Sequence, residues 1–189
     1  MIIFFGATGA GKSMQGQILA ARHGWHWLSS GQIFREQADA EMLELLKSGE
    51  LVTDEVTNRV IFEALDRAQT CEDIERVVLD GYPRTIEQAK ALVGHETERC
   101  GKNPVAMCVV MEVPQSEIIK RLSKRGRMED EPEKIARRMQ IHRSGIYPLL
   151  DYFNEIGVPI EHIDGVGTVG EVHDRIETEL VAQGIVKAE

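Results

Sequence analysis

The segment Gly6-Ala7-Thr8-Gly9-Ala10-Gly11-Lys12-Ser13 decides the fold of this 189-residue chain. It fits the pattern G-x-x-x-x-G-K-[ST] at every position, and it lies between an apolar run and a helical pattern. In such a loop successive backbone N–H groups point inward and bind phosphate, and the helix N-terminus adds partial positive charge. We therefore expect a phosphate-binding loop, in which Lys12 reaches nucleotide phosphates and the Ser13 hydroxyl ligates Mg²⁺.

Apolar runs and helical patterns alternate along the rest of the chain. The runs are continuous, as in strands that are buried on both faces of a parallel sheet. They cover Ile2–Phe5, Trp25–Ser29, Val77–Leu79, Val105–Val113 and Pro159–Ile163. Helical spacing predicts helices over Ser13–Arg22, Asp54–Ala68, Thr85–Cys100, Pro114–Lys124, Pro132–Asn154 and Val169–Gln183. This alternation predicts an α/β fold with a five-stranded parallel sheet flanked by helices.

Charge and composition exclude several classes of protein. Lys plus Arg number 22 and Asp plus Glu number 31, a net charge of −9 that disfavours general nucleic-acid binding. No apolar run reaches the roughly 18 residues of a membrane span, and the apolar N-terminus lacks the basic region of a signal peptide. The 3 cysteines, without a Cys-x-x-Cys pair, argue against a disulfide framework and a zinc site. We expect a cytoplasmic protein that binds neither nucleic acid nor membrane.

Positive charge is concentrated between residues 121 and 143, which hold eight basic and four acidic side chains. A cationic cluster on an acidic body suits a small anionic ligand. The alternative is a solvated helix face with salt bridges, which the charge pattern alone does not exclude.

Three more residues point to a metal and a second phosphate. Asp80 ends a buried apolar run, which is where a P-loop protein places a carboxylate that holds its metal through water. Considered alone, Asp80 could equally be a turn or capping residue. Arg84 follows at the same end of that run, and Arg35 lies on the helix after Ser30. Because arginine suits bidentate phosphate binding, these two imply a second phosphorylated ligand.

These segments also carry a family resemblance over essentially the whole length. Besides the loop, they are 28–35, 49–55, Asp80–Gln88, 121–127 with Glu129 and Asp130, and Arg138. In them the chain resembles adenylate kinase and related nucleoside monophosphate kinases. The resemblance implies a P-loop NTPase fold in a single domain, residues 1–189. Residues 30–60 would form a helical monophosphate-binding insert, and residues 122–133 a short lid.

The resemblance implies a role for each matching residue. Its ATP-binding residues would be Gly9, Ala10, Gly11, Lys12, Ser13, Met14, Arg121 and Gly167, with Arg121 stacked on the adenine. Its AMP-binding residues would be Ser30, Arg35, Leu51, Val52, Gly81, Arg84 and Gln88, with the arginines on the phosphate and Gln88 on the base. Its catalytic residues would be Lys12, Arg84, Arg125, Arg127 and Arg138.

The implied reaction is reversible phosphoryl transfer from Mg-ATP to AMP, which gives two ADP, in a monomeric enzyme. Such transfer needs positioning and stabilisation of charge on the phosphate oxygens more than covalent help. A lid that carries arginines supplies charge and excludes water when it closes. No general base is expected, because the accepting phosphate oxygen is already anionic near neutral pH.

Several positions depart from the family pattern. Ser13-Met14 stands where Gly-Thr is usual, Gln32 where Asp is usual, and Thr53 where Pro is usual. Only Gly126 separates Arg125 from Arg127, so matching both to the family's lid arginines requires a deletion between them. A lid this short leaves no room for the zinc-binding insert of some relatives, and we expect no zinc.

Hydrogen-bond logic leaves the acceptor base open. The amide of Gln88 can pair with a ring acceptor and an exocyclic amine, which adenine and cytosine both offer. Guanine and uracil reverse this pattern, and a side-chain amide could turn over to match them. The wider match resembles AMP users, so AMP is predicted. The alternatives are a UMP/CMP kinase of the same fold and a nucleotide-binding protein without transfer activity.

Overall fold

The structure is a computed structural model that describes residues 1–37, 53–68, 76–125 and 132–187. It includes their side chains except at positions 37, 125, 132–138 and 141–144. The strands are β1 (Ile2–Gly6), β2 (His26–Ser29), β3 (Val77–Asp80), β4 (Met107–Glu112) and β5 (Ile160–Asp164). The helices are α1 (Lys12–His23), α2 (Ser30–Gln37), α3 (Asp54–Ala68), α4 (Ile86–Cys100), α5 (Gln115–Arg125), α6 (Pro132–Glu155) and α7 (Val169–Ala182).

The five strands form one parallel sheet in the order β2-β3-β1-β4-β5. Phe4 pairs with Asp80, and Gly6 pairs with Met111, so the central strands end at nearly the same level. In open α/β sheets, ligands bind in the crevice outside the carboxyl ends of the strands. The loops after β1 and β3 therefore face the same crevice. The predicted five-stranded parallel sheet is confirmed.

Helices cover both faces of the sheet. Successive side chains of a strand point to opposite faces, and β1 is buried along its whole length. Ile3 and Phe5 pack into a cluster with residues of α3, α4 and α6. Ile2 and Phe4 pack into a second cluster with residues of α1 and α7. This burial on both faces explains why the strands are continuous apolar runs in the sequence.

Two expectations need correction. The predicted strand over Val105–Val113 is shorter in the structure, because Val105 is not paired in the sheet and Ala106 donates its N–H to the Met1 carbonyl instead. The cysteine count argues against a disulfide framework, but Cys100 is disulfide-bonded, whereas Cys108 is a buried free thiol. In the part of the chain that the structure describes, no helix has the length and apolarity to cross a bilayer.

Candidate functional site

The loop between β1 and α1 has the backbone conformation that its glycines permit. Gly9 has φ +89°, and a Cβ there would lie 2.9 Å from Leu122 Cγ, so a side chain would meet α5. Lys12 is the first residue of α1, and its Nζ donates to the carbonyls of Gly6 at 2.7 Å and Ala7 at 3.1 Å. The ammonium group thus lies against the loop, at the N-terminus of a helix whose dipole favours an anion.

Ser13 and Asp80 join this loop to the neighbouring strand. The Ser13 hydroxyl donates to Asp80 Oδ2 at 2.5 Å. Asp80 ends β3 and is only 3% exposed, so its carboxylate is held at the base of the crevice. One hydroxyl and one carboxylate are hard oxygen ligands, the type that Mg²⁺ prefers when phosphates and water complete its shell. These two predicted metal ligands lie together.

A second polar cluster follows directly after Asp80. Arg84 Nε donates to the Gly81 carbonyl at 2.7 Å, and Arg84 Nη2 lies 3.4 Å from Ser30 Oγ. Ser30 is buried, and its hydroxyl donates to the same Gly81 carbonyl at 2.7 Å. Gly81 has φ +79°, and a Cβ there would approach Ser30 Oγ to 2.7 Å. Three of the predicted acceptor-binding residues are therefore packed against one another.

Arg35 lies on the same helix as Ser30, five residues further along α2. A Cβ on Gly31 would be 3.4 Å from Arg35 Nη1, so the guanidinium extends back along the helix towards Ser30. Arg35 is exposed, as a side chain that binds a soluble anion must be. Arg35 therefore lies on the Ser30 side of the crevice, and its role in binding the acceptor phosphate stays a prediction.

Gln88 is buried and hydrogen-bonded at both ends of its amide. It is 4% exposed and lies in the first turn of α4. Its Oε1 accepts the backbone N–H of Arg84 at 2.7 Å, and its Nε2 donates to Asp54 Oδ1 at 2.7 Å. Thr85 donates its hydroxyl to Asp54 Oδ2 at 2.8 Å and caps α4 by accepting the Gln88 N–H. Asp54 thus ties the start of α3 to the start of α4.

On the other side of the loop, Arg121 connects α5 to two backbone segments. Its Nη1 donates to the Ala10 carbonyl at 3.3 Å and its Nη2 to the Gly165 carbonyl at 2.9 Å. Its Nε donates to Glu117 at 3.0 Å, and this hydrogen bond lowers the pKa of the Glu117 carboxyl. Arg121 therefore lies between the phosphate loop and the segment after β5.

The segment after β5 is held in place by a second arginine. Arg175 Nη1 donates to the carbonyls of Asp164 at 2.6 Å and Val166 at 2.7 Å. Gly167 follows with φ +132°, and Thr168 caps α7 through a reciprocal pair of bonds with Glu171. Backbone N–H and carbonyl groups in this segment are thus presented at a fixed position beside Arg121.

Comparisons with known proteins bear on the family of this chain. A family model described as "Adenylate kinase" matches residues 4–158. The chain belongs to the adenylate kinase family. It is 34% identical to the adenylate kinase of Thermus thermophilus over 189 residues, 95% of this chain and 96% of the relative. It is also 34% identical to the adenylate kinase of Mycobacterium ulcerans over 180 residues, 92% of this chain and 95% of the relative.

Some residues that the resemblance to adenylate kinase predicted are not described. Leu51, Val52 and Arg127 lie outside the described residues. Arg125 ends α5 and Arg138 lies on α6, but their side chains are not among those described. The roles of these five residues therefore stay predictions. Met14 is described on the outer surface of α1, where it is 54% exposed.

Asp54 is the polar residue of this site that the sequence reasoning did not identify. The sequence indicates only that Asp54 and Glu55 suit the first turn of a helix, which α3 confirms. Its partners Thr85 and Gln88 are more than 30 positions away, and no local pattern links them to Asp54. A buried glutamine whose amide needs an acceptor for Nε2 is the one general signal that such a partner exists.

Proposed function

We propose that this protein catalyses reversible phosphoryl transfer from Mg-ATP to AMP, giving two ADP. Membership of the adenylate kinase family favours this reaction over a pyrimidine acceptor and over nucleotide binding without transfer. The observation that carries the proposal is the hydrogen bond between Ser13 and Asp80. It joins the phosphate loop to the strand end that continues into Gly81 and Arg84, so a donor and an acceptor would meet across one crevice.

On the donor side, the nucleotide phosphates would bind the backbone N–H groups of Gly9–Met14. Lys12 would leave the carbonyls of Gly6 and Ala7 and bind the phosphates, since a phosphate oxygen attracts the ammonium more strongly than a carbonyl does. Arg121 would lie against the adenine, with Gly167 beside it. The contacts of Arg121 with the loop and with Gly165 support this placement.

On the acceptor side, Arg84 and Arg35 would bind the phosphate of AMP. Both lie near Ser30, and the Gly81 carbonyl orients Arg84 through a 2.7 Å hydrogen bond. Two guanidinium groups can bind three anionic oxygens with defined geometry, which turns a collision into an aligned attack. Gln88 would read the base, and Leu51 and Val52 would line it.

The residues at the metal site fit Mg²⁺. Ser13 would ligate the ion directly, and Asp80 would hold it through water. Among the described ranges, no group of three or more His, Cys, Asp or Glu is placed to hold a metal. The remaining ligands of the ion would be phosphates and water. When bound, the ion would neutralise charge on the donor phosphates.

The chemical step would depend on charge and exclusion of water. Lys12 and Arg84, together with Arg125, Arg127 and Arg138, would stabilise the charge that spreads over the transferring phosphoryl oxygens. We propose that residues 122–133 form a short lid and residues 30–60 a monophosphate-binding insert. Their closure would keep water from competing with AMP for the phosphoryl group.

The experiment is ADP formation from ATP and Mg²⁺, run in parallel with AMP, CMP, UMP and GMP. We expect a strong preference for AMP. A Lys12→Ala protein should lose about 100-fold or more in turnover, because one oriented charge at the transferring group contributes that much. If CMP or UMP were preferred, the assignment of AMP as the acceptor would be wrong. Binding of ATP without transfer to any acceptor would show that the chain is a nucleotide-binding protein only.

The proposal includes a monomer that works in the cytoplasm. The single sheet, with helices on both of its faces, forms a complete core within one chain. Sedimentation equilibrium with and without nucleotide measures the oligomeric state directly, and a mass near 21.2 kDa is expected. Fractionation of the host cells tests the location.

A further inference from the structure

The amide of Gln88 has two anchors that differ in chemistry. A backbone N–H group, from Arg84, donates to Oε1, and a carboxylate, from Asp54, accepts from Nε2. A backbone N–H can only donate, and an ionised carboxylate can only accept. Both bonds are 2.7 Å long and the side chain is buried, so water does not replace either partner readily. Turning the amide over would break both bonds at once.

We propose that Asp54 is a positioning residue that determines which bases this protein accepts. The inference rests on the proposed function, in which Gln88 reads the acceptor base. Together with the Arg84 N–H on Oε1, Asp54 on Nε2 fixes the direction of the amide and opposes its turning over. Gln88 then discriminates between amino-bearing and oxo-bearing bases, which a freely turning amide would not do.

After its two bonds to Asp54 and Arg84, the Gln88 amide still has the hydrogen-bonding groups needed to recognise a base. A primary amide has two N–H donors and an oxygen with two lone pairs. Asp54 takes one donor and Arg84 takes one lone pair. One donor and one acceptor remain for the ligand. Adenine offers the complementary ring acceptor and exocyclic amine, whereas a 6-oxopurine offers a ring N–H and a carbonyl and would face like groups.

The other contacts of Asp54 hold its carboxylate in place. Its second oxygen accepts the Thr85 hydroxyl at 2.8 Å, so the carboxylate is fixed at both oxygens. The neighbouring Tyr82 is buried, and burial together with the Asp54 charge raises the pKa of the phenol. Tyr82 stays a donor, and its hydroxyl lies 2.6 Å from Asn58 Oδ1 and 3.2 Å from the main-chain carbonyl oxygen of Gln88. Asn58 lies one turn after Asp54 on α3, and this contact ties α3 to the same loop without touching the Gln88 side chain.

This pair of contacts provides a matched set of variants. Asp54→Asn keeps the shape but replaces a pure acceptor with an amide, which can accept from Gln88 Nε2 through its oxygen or donate to Oε1 of a turned Gln88 amide through its nitrogen. Asn58→Ala weakens the same junction between α3 and the loop after β3 and leaves both amide anchors in place. The readouts are kcat and KM for AMP and for inosine monophosphate, which has the same ribose phosphate and an oxo group in place of the amine.

In the wild type we expect AMP to be strongly preferred over inosine monophosphate. In Asp54→Asn the KM for AMP should rise and the ratio of kcat/KM values, AMP over inosine monophosphate, should fall about tenfold, the effect of one misdirected hydrogen bond. The KM for ATP and the kcat with AMP should change much less. In Asn58→Ala the ratio should equal that of the wild type, even if the protein is less stable.

A second measurement does not depend on turnover. In a ¹H–¹⁵N NMR spectrum, the side-chain amide of Gln88, assigned from its absence in Gln88→Leu, should show one proton shifted downfield by the carboxylate. That shift should persist in Asn58→Ala and disappear in Asp54→Asn. An unchanged AMP preference in Asp54→Asn, or an equal loss in both variants, would overturn the positioning role. Absence of transfer to AMP in the wild type would instead overturn the proposed function and the inference with it.

Discussion

At the scale of single residues, the acceptor side of the crevice depends on how the turn after β3 is built. Arg84 donates through its backbone N–H to Gln88 and through its guanidinium to the Gly81 carbonyl. Ser30 donates to the same carbonyl. Because a single carbonyl accepts from both Ser30 and Arg84, the position of Arg84 depends on the conformation of Gly81.

For Arg84→Ala, we expect kcat/KM for AMP to fall about 100-fold, because a guanidinium that binds the phosphate and aligns it is lost. Arg84→Lys should recover only part of that loss, since a lysine ammonium cannot reproduce the planar bidentate contact. The KM for ATP should stay within about twofold in both variants. Steady-state kinetics with each substrate varied in turn measures this, and near-normal turnover by Arg84→Ala would contradict the assignment of Arg84.

Gly81→Ala should lower the free energy of unfolding by roughly 1–2 kcal/mol, because φ is +79° there and the new Cβ would approach Ser30 Oγ to 2.7 Å. Gly94 is a matched control. It lies inside α4 with open space around it, so Gly94→Ala should raise stability by about 0.5–1 kcal/mol. Urea unfolding of the three proteins measures both effects. Equal changes in the two variants would show that Gly81 has no special conformational role.

At the scale of elements, the helix that begins with the phosphate loop is fixed at its far end by α7. Glu177 Oε1 lies 2.8 Å from His23 Nε2, with which it forms a hydrogen bond, and 3.2 Å from His173 Nε2. Arg22 Nε lies 3.7 Å from it. Any change in the charge of this group therefore acts on the contact between α1 and α7.

We expect the free energy of unfolding to decrease as the pH is lowered below about 6.5. Burial is the main cause that lowers the pKa of His173. The positive charges of Arg22 and His23 lower this pKa further, whereas the carboxylates of Glu177 and Asp174 partly raise it. The unfolded chain then binds a proton that the folded chain does not, so the contribution is complete above the unfolded pKa and is lost as pH falls below it. His173→Gln should flatten this dependence, which urea unfolding between pH 5 and 8 measures. An identical slope in both proteins would contradict the assignment to His173.

Features that depend on residues close together in the sequence could be predicted. The glycines and Lys12 of the loop follow a strand directly, and the apolar runs are long enough to indicate buried strands. The proximity of Ser13 and Asp80 could be anticipated from the motif and from a carboxylate at a strand end, although their hydrogen bond was not predicted. These predictions succeed because local pattern and sheet topology together place the residues.

The contacts across helix junctions could not be predicted in this way. Asp54 and Gln88 are brought together by the packing of α3 against α4, and the sequence alone left the amide free to turn over. The contact of Arg121 with the Gly165 carbonyl likewise requires α5 to lie beside the segment after β5. Such contacts depend on the angles between elements, which hydrophobic periodicity does not determine.

At the scale of the whole molecule, the sheet separates two hydrophobic clusters, one on each of its faces. The candidate site lies at the carboxyl ends of the strands. One cluster holds Phe153 of α6 against Phe5, with ring centroids 5.9 Å apart. A smaller cluster of Ile118, Leu122 and Met139 joins α5 to α6 near Arg138. The helix that carries Arg138 is thus anchored in the rigid core at one end and packed on α5 at the other, so its movement would be coupled to α5.

The most direct test of the central claim is to incubate the protein with ADP and Mg²⁺ alone and follow the phosphates by ³¹P NMR. A chain with a donor and an acceptor adenine-nucleotide site across one crevice should convert ADP into equal amounts of ATP and AMP, and Lys12→Ala should not. Unchanged ADP would contradict the account, because a pyrimidine-specific kinase or a nucleotide-binding protein leaves ADP intact. Release of inorganic phosphate in place of ATP would contradict the exclusion of water from the site.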